Sequence, residues 1–146
     1  MEKEREFIST VFVVRKGKVL MTWNKKVKNW IPVGGHIEPN ELPCSSVVRE
    51  AKEESGLEIE LVSPLEKSKS ANLIQPVHIH LDRVSDSHEH LNLIYLGVVR
   101  GGKCLDTDDE GKELMWFSRE ELERENLLPS VKEWAIEALN RLGDKY

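Results

Sequence analysis

The sequence predicts an α/β domain in which a mixed β-sheet lies between helices. Three observations predict it. Segments with strand patterning outnumber those with helical patterning. The helical segments fall in the middle and at the end of the chain. Leu91 to Val99 is mostly apolar on both faces, as expected of a central strand covered on both sides. The 146 residues suffice for one domain with a real core, and no linker, repeat or low-complexity tract divides them.

Phe7 to Val14 is rich in β-branched residues and reads as a strand. Lys16-Gly17-Lys18 is a turn, Val19 to Trp23 returns as a second strand, and Asn24 to Asn29 is a basic loop. Pro43 suits the first turn of a helix running to about Ser55, with Gly56 as its C-terminal stop. Along that helix Val47, Val48 and Ala51 form an apolar stripe beside an acidic face. Leu57 to Leu65 reads as a strand broken at Pro64. From Pro76 to Val84 the chain alternates, with Val77, Ile79 and Leu81 to one side and His78, His80 and Asp82 to the other. This is the pattern of a half-buried strand.

Ser85-Asp86-Ser87 turns the chain into the central strand. Gly101 to Glu113 is an acidic loop, and Leu114 to Phe117 a short strand. Ser118 caps a short helix with Glu121 completing a capping box. A final helix over Leu127 to Leu142 carries Val131, Trp134, Ala135 and Leu139 along one stripe.

Bulk properties narrow the function. With 39% hydrophobic and 32% charged residues the chain reads as soluble and globular. The net charge of −5 argues against a general nucleic-acid binder, which needs basic surface to displace counterions. A small anionic substrate is compatible with it, because a bound metal inverts the local field. The densely charged start MEKEREF is unlike a secretory leader, and no apolar run approaches the ~20 residues of a membrane span. A cytoplasmic protein without membrane association is expected. Cys44 and Cys104 are far apart, form no C-x-x-C, and are expected as free thiols.

The most informative stretch is Gly35 to Leu57. Glu50, Glu53 and Glu54 stand at i, i+3 and i+4, which places three carboxylates on one helix face. Like charges so close repel, and such a face suits a hard cation such as Mg²⁺, Mn²⁺ or Ca²⁺. Gly35, Glu41, Arg49-Glu50, Ala51, Glu53-Glu54, Gly56 and Leu57 fill every fixed position of the Nudix box. Trp30-Ile31-Pro32 leading into Gly34-Gly35, and Trp116-Phe117-Ser118 leading into Glu120-Glu121-Leu122, extend the likeness over most of the length. The chain resembles a Nudix hydrolase.

The resemblance implies an α/β/α sandwich with a mixed central sheet. It implies hydrolysis of a phosphoanhydride in a nucleoside diphosphate linked to another group, with Mg²⁺ as cofactor and Mn²⁺ as its substitute. By the same resemblance Glu50, Glu53, Glu54 and the Gly34 carbonyl ligate the metal, and Glu53 comes first for proton transfer or water orientation. Arg49 and Glu41 are the supporting pair, with Glu38 beside them. For a general base outside the box the acidic loop offers Asp106, Asp108, Asp109, Glu110 and Glu113, of which Glu110 is selected. The end of the central strand, where some members carry an extra acid, reads Val98-Val99-Arg100 here.

His36, inside the box loop, is a candidate for the substrate phosphates. Trp30 is a candidate to stack on a nucleobase, with a core or loop-anchor role as the alternative. Arg15, with Lys25, Lys26 and Lys28, is a candidate phosphate guide, with a solvated loop as the alternative. The pairs His78/His80 and His88/His90 each share a strand face and invite a zinc reading. No cysteine or defined ligand spacing accompanies them, and polar strand faces near a phosphate site account for them equally well.

The substrate expected is a small nucleotide. Subclass signals for ADP-ribose and dinucleoside polyphosphates, sought after the box at Asn72, Leu73, Ile74 and Gln75, are weak, and Pro76 falls late. The compact length leans towards nucleoside triphosphates, including oxidised ones, and the family allows a homodimer. Three alternatives stand beside this reading. A non-catalytic nucleotide sensor would usually have lost box glutamates. An enzyme like isopentenyl diphosphate isomerase would use a catalytic cysteine, for which Cys44 is available, and a histidine-rich metal site. An RNA-end pyrophosphohydrolase is disfavoured by the acidic charge.

Overall fold

The computed structural model describes residues 2–63, 73–105 and 112–146. Strand β1 (Glu4–Arg15) returns into β2 (Lys18–Asn24) through Lys16 and Gly17, whose φ angles of 50° and 72° match the twist of a tight hairpin. The basic loop after β2 is followed by two short strands without strong sequence signals, β3 (Asn29–Ile31) and β4 (Val33–His36). Helix α1 runs from Pro43 to Ser55, with Pro43 in its first turn. At its end Gly56 adopts φ 79° and donates its N–H to the Lys52 carbonyl, as a left-handed C-terminal stop does.

Strand β5 (Leu57–Val62) follows; the expected break at Pro64, Leu65 beyond it and Asn72 lie outside the described residues. Next come β6 (His78–Ser85), β7 (His88–Gly102) and β8 (Leu114–Ser118). Helix α2 (Arg119–Arg124) has the capping box expected of Ser118 and Glu121. Helix α3 (Pro129–Leu142) starts two residues later than the sequence predicts, because Pro129 pre-sets the first helical turn and Leu128 before it stays extended.

The sheet is mixed. Its path is β3-β2-β1-β7-β5, with β4 added to β1, β6 to β7 and β8 to β2. Among the described residues only β1 and β7 run parallel; the other pairs are antiparallel. The sheet forks along its two long strands. β1 pairs with β4 over Ile8–Val11 and with β2 near Val14, while β7 pairs with β6 over its first half and with β5 over its second. β7 is thus the central strand its two-faced apolarity predicts.

A core lies on each face. On one side Val11, Val13, Leu20, Val33, Leu57 and Tyr95 pack against Val47 and Ala51 of α1. On the other, Phe12, Met21, Leu96 and Phe117 pack against Val131, Ala135 and Leu139 of α3. Helices therefore cover both faces, as the α/β/α expectation requires.

The alternation of β6 leaves open which side faces in, and the structure decides it. In β6, Ile79 and Leu81 point outward, 60% and 51% exposed, and His78, His80 and Asp82 are the half-buried side. The reason lies in the partner. Asn92 and His90 of β7 face His80 and Asp82 across the pair, and Asn92 Nδ2 donates to Asp82 Oδ2 at 3.4 Å. His78 stacks on Trp134 of α3, with ring centroids 4.8 Å apart. Polar and aromatic partners hold the histidine face inward, and the alternation alone cannot say which face that is. Both cysteines are free and half-buried. Among the described residues no helix is long and apolar enough to cross a membrane.

Candidate active site

Helix α1 buries Val47 and Ala51 against the sheet, and the 3.6-residue period turns Glu50, Glu53 and Glu54 towards the β4 backbone and solvent. The three carboxylates sit at graded depth. Glu54 is buried, Glu50 is 18% exposed and Glu53 58%.

Arg49 organises the face. Its Nε and Nη2 donate to the two oxygens of Glu41 at 2.7 and 2.9 Å, a two-bond fork. Its Nη1 donates to Glu50 Oε1 at 3.2 Å and Glu53 Oε2 at 3.1 Å. Glu41 also accepts the Glu38 N–H at 3.1 Å, which closes the loop before α1. These bonds from Arg49 hold the Glu41 carboxyl down at about 2, and the same glutamates hold the guanidinium charged.

Glu54 is the opposite case. Burial, then the negative charge of Glu50, push its pKa up to about 8. The Gly34 N–H, donating at 3.3 Å, and the charge of Lys112 work against that rise without cancelling it. Gly35 lies against the same face, where a Cβ would stand 2.9 Å from Glu50 Oε1. A buried carboxylate with a raised pKa, a second one beside it, and a glycine that keeps the space in front open form a donor set that fits a hard divalent cation.

His36, on β4, is paired with Ile8 and points to the other face of the sheet from Gly35. Its Nε2 lies 3.3 Å from Glu6 Oε2, and its ring meets that of His90 edge-on, centroids 5.2 Å apart. His88 Nε2 lies 2.5 Å from Glu6 Oε1, and neither it nor His90 Nε2, both buried, has a hydrogen-bond partner among the described residues. An open pocket of about 470 Å³, lined by Glu6, Phe7, His36, Ile37, Glu41 and Pro43, connects this cluster to the box loop. Glu6 carries no sequence signal, because parallel pairing with β7, more than eighty residues away, is what brings it opposite His90.

Other candidates lie elsewhere. Trp30 meets Trp23 and Phe117 edge-on at 5.4 and 5.3 Å and packs at the margin of the α3-side core, the anchoring alternative for this residue. Arg15 lies over the Trp116 ring, 4.5 Å from its centre, next to the β1–β2 turn, and is not brought to the glutamates. Asp106, Asp108, Asp109 and Glu110 lie outside the described residues. Glu113 is exposed and gives its carbonyl to the Trp23 N–H at 3.0 Å. Lys112, unmarked by the sequence reading, brings the described end of that loop within electrostatic reach of Glu54. Cys44 packs with the α1-side core and not among the histidines.

The NUDIX domain family model matches residues 5–141. Among solved structures, a NUDIX-family hydrolase from Clostridium perfringens is 38% identical, with 95% of this chain and 99% of that one covered and a TM-score of 0.82. A MutT NUDIX hydrolase from Burkholderia pseudomallei is 18% identical, with 96% and 99% covered and a TM-score of 0.67. A MutT protein from Methanosarcina mazei Go1 is 19% identical, with 100% and 99% covered and a TM-score of 0.65. The last two show a shared fold. No match emerges among curated proteins. The three-carboxylate face, the family match along nearly the whole chain and the likeness to the Clostridium hydrolase lead to one conclusion: the chain belongs to the Nudix hydrolases, enzymes that act on pyrophosphate bonds.

Proposed function

We propose that the chain hydrolyses the phosphoanhydride of a small nucleotide, nucleoside triphosphates and their oxidised forms first, with Mg²⁺ held by Glu50, Glu53, Glu54 and the Gly34 carbonyl. The observation that carries this reading is Arg49, forked onto Glu41 while it reaches Glu50 and Glu53 beside the buried Glu54. Nothing in a solvated surface helix calls for that arrangement. When bound, the dication neutralises phosphate oxygens and lowers the pKa of a coordinated water.

The chain's own groups do the rest. Glu54 anchors the deep side of the site and gives up its proton when a cation binds. Glu53, the most exposed of the three, orients the attacking water and takes its proton. Arg49 holds the Glu50 and Glu53 carboxylates against their mutual repulsion, and Glu41 fixes the Arg49 fork. The acidic net charge supports a small substrate over a nucleic acid.

A phosphate-release screen with Mg²⁺ and Mn²⁺, with and without coupled pyrophosphatase, tests the proposal. The panel holds nucleoside triphosphates, 8-oxo-dGTP, nucleoside diphosphates, ADP-ribose and dinucleoside polyphosphates. Metal-dependent release from a triphosphate supports the proposal. Silence across the panel by a folded protein that binds Mg²⁺ favours the sensor alternative.

A further inference from the structure

We propose a second metal site, separate from the box glutamates, in which Glu6, His36 and His90 bind one borderline transition ion, Zn²⁺ first, with His88 beside the free oxygen of Glu6.

Three observations carry it. First, one ligand atom from each of Glu6, His36 and His90 falls within 4.8 Å of the others. Donor atoms around a tetrahedral zinc with bonds of about 2.0–2.1 Å stand roughly 3.3 Å apart. The His36 Nε2 to Glu6 Oε2 distance is already 3.3 Å, so small side-chain rotations complete the set. Second, His90 Nε2 is buried without a hydrogen-bond partner among the described residues, and a buried ring nitrogen left unbonded calls for an explanation. Third, three imidazoles and one carboxylate converge from three strands: Glu6 from β1, His36 from β4, and His88 and His90 from one face of β7.

The electrostatics agree with the geometry. Burial, then the neighbouring His36 and His88, lower the pKa of His90, which favours the neutral ring that metals bind. Asp82 stands opposite His90 on β6 and is itself 3.3 Å from His80 Nε2. Imidazole donors select zinc and its neighbours over Mg²⁺, so the two sites differ in the ion they take. With three protein ligands the fourth position is free, and the Glu6 and His36 side chains line the pocket that also reaches Glu41. His88 Nε2, 2.5 Å from Glu6 Oε1, is placed to turn onto that oxygen and orient the ligand once the ion is bound.

This site does not depend on the hydrolase proposal, and its test reads zinc directly. Metal-free protein in millimolar Mg²⁺, which occupies the box, is titrated with Zn²⁺ against a chromophoric chelator. One zinc per chain should bind. His90→Ala should weaken it at least ~100-fold, His88→Ala by roughly 10–100-fold, and Glu54→Gln should leave it unchanged. Near-UV circular dichroism of the zinc-free variants checks that each is folded. X-ray absorption of zinc-loaded wild-type protein needs no variant and should show two imidazole nitrogens and carboxylate oxygen at about 2.0–2.2 Å. Unchanged zinc affinity in His90→Ala, loss of zinc in Glu54→Gln, or an all-oxygen shell would each overturn the proposal.

Discussion

Arg49 and Glu41 share two parallel hydrogen bonds, 2.7 Å from Nε and 2.9 Å from Nη2, and the remaining guanidinium nitrogen lies 3.2 Å from Glu50 and 3.1 Å from Glu53. One planar side chain thus fixes three carboxylates. A lysine has neither the fork nor the span to do so. Arg49→Lys should therefore lower kcat by roughly 10–100-fold while the fold persists. Steady-state kinetics beside a thermal melt checks this. Wild-type kcat in the lysine variant would show that Arg49 is an ordinary surface ion pair.

Glu54 links metal binding to pH. In the folded chain it holds its proton up to about 8, against an ordinary value of 4.5. The folded state therefore binds more protons than the unfolded one between those values, and without a cation stability falls as pH rises through that window. A cation needs the carboxylate form, so its binding releases the proton, and its stabilisation grows with pH over the same window. Melts from pH 5 to 8, with chelator or with Mg²⁺, should diverge as pH rises. Parallel curves would contradict this.

The two box glycines should respond differently. At Gly34, with φ 149°, an added Cβ would meet the Ser9 carbonyl oxygen at 2.2 Å, a backbone clash that cannot rotate away. At Gly35 the obstacle is the movable end of Glu50 at 2.9 Å. Gly34→Ala should cost about 3 kcal/mol or more of stability. Gly35→Ala should remain nearly as stable but bind Mg²⁺ more weakly. Denaturant melts and metal titration separate the two, and equal destabilisation would be the contrary result.

How much was legible in the sequence depended on whether the deciding contact was local. The span of α1 could be read because Pro43 and Gly56 mark its ends by their own backbone preferences. The capping box of α2 was equally local. The three glutamates followed from helical period and motif. The inward face of β6 did not, because alternation is symmetric and only Asn92, His90 and Trp134 decide it. Strands β3 and β4 are too short to pattern and exist through pairing with β2 and β1. Glu6 entered the histidine cluster only through the β1–β7 register. Trp30 and Arg15 are candidates by residue type alone, and the structure gives both aromatic neighbours.

The orientation of β6 has its own check. Ile79→Ser, on the exposed side, should change stability by no more than about 0.5 kcal/mol. Leu57→Ala, in the α1-side core, should cost about 2–5 kcal/mol. Urea melts of the two variants give the comparison, and a large loss at Ile79 would mean that this side is covered in solution.

The most direct measurement is the Mg²⁺-dependent turnover of Glu53→Gln on the best substrate of the screen. The substitution keeps size and one acceptor oxygen and removes the charge. If Glu53 orients the water and takes its proton, kcat falls by roughly 10²–10⁴-fold with an unchanged melt. Near-normal turnover in a folded variant would show that the chemistry does not run on this face of α1.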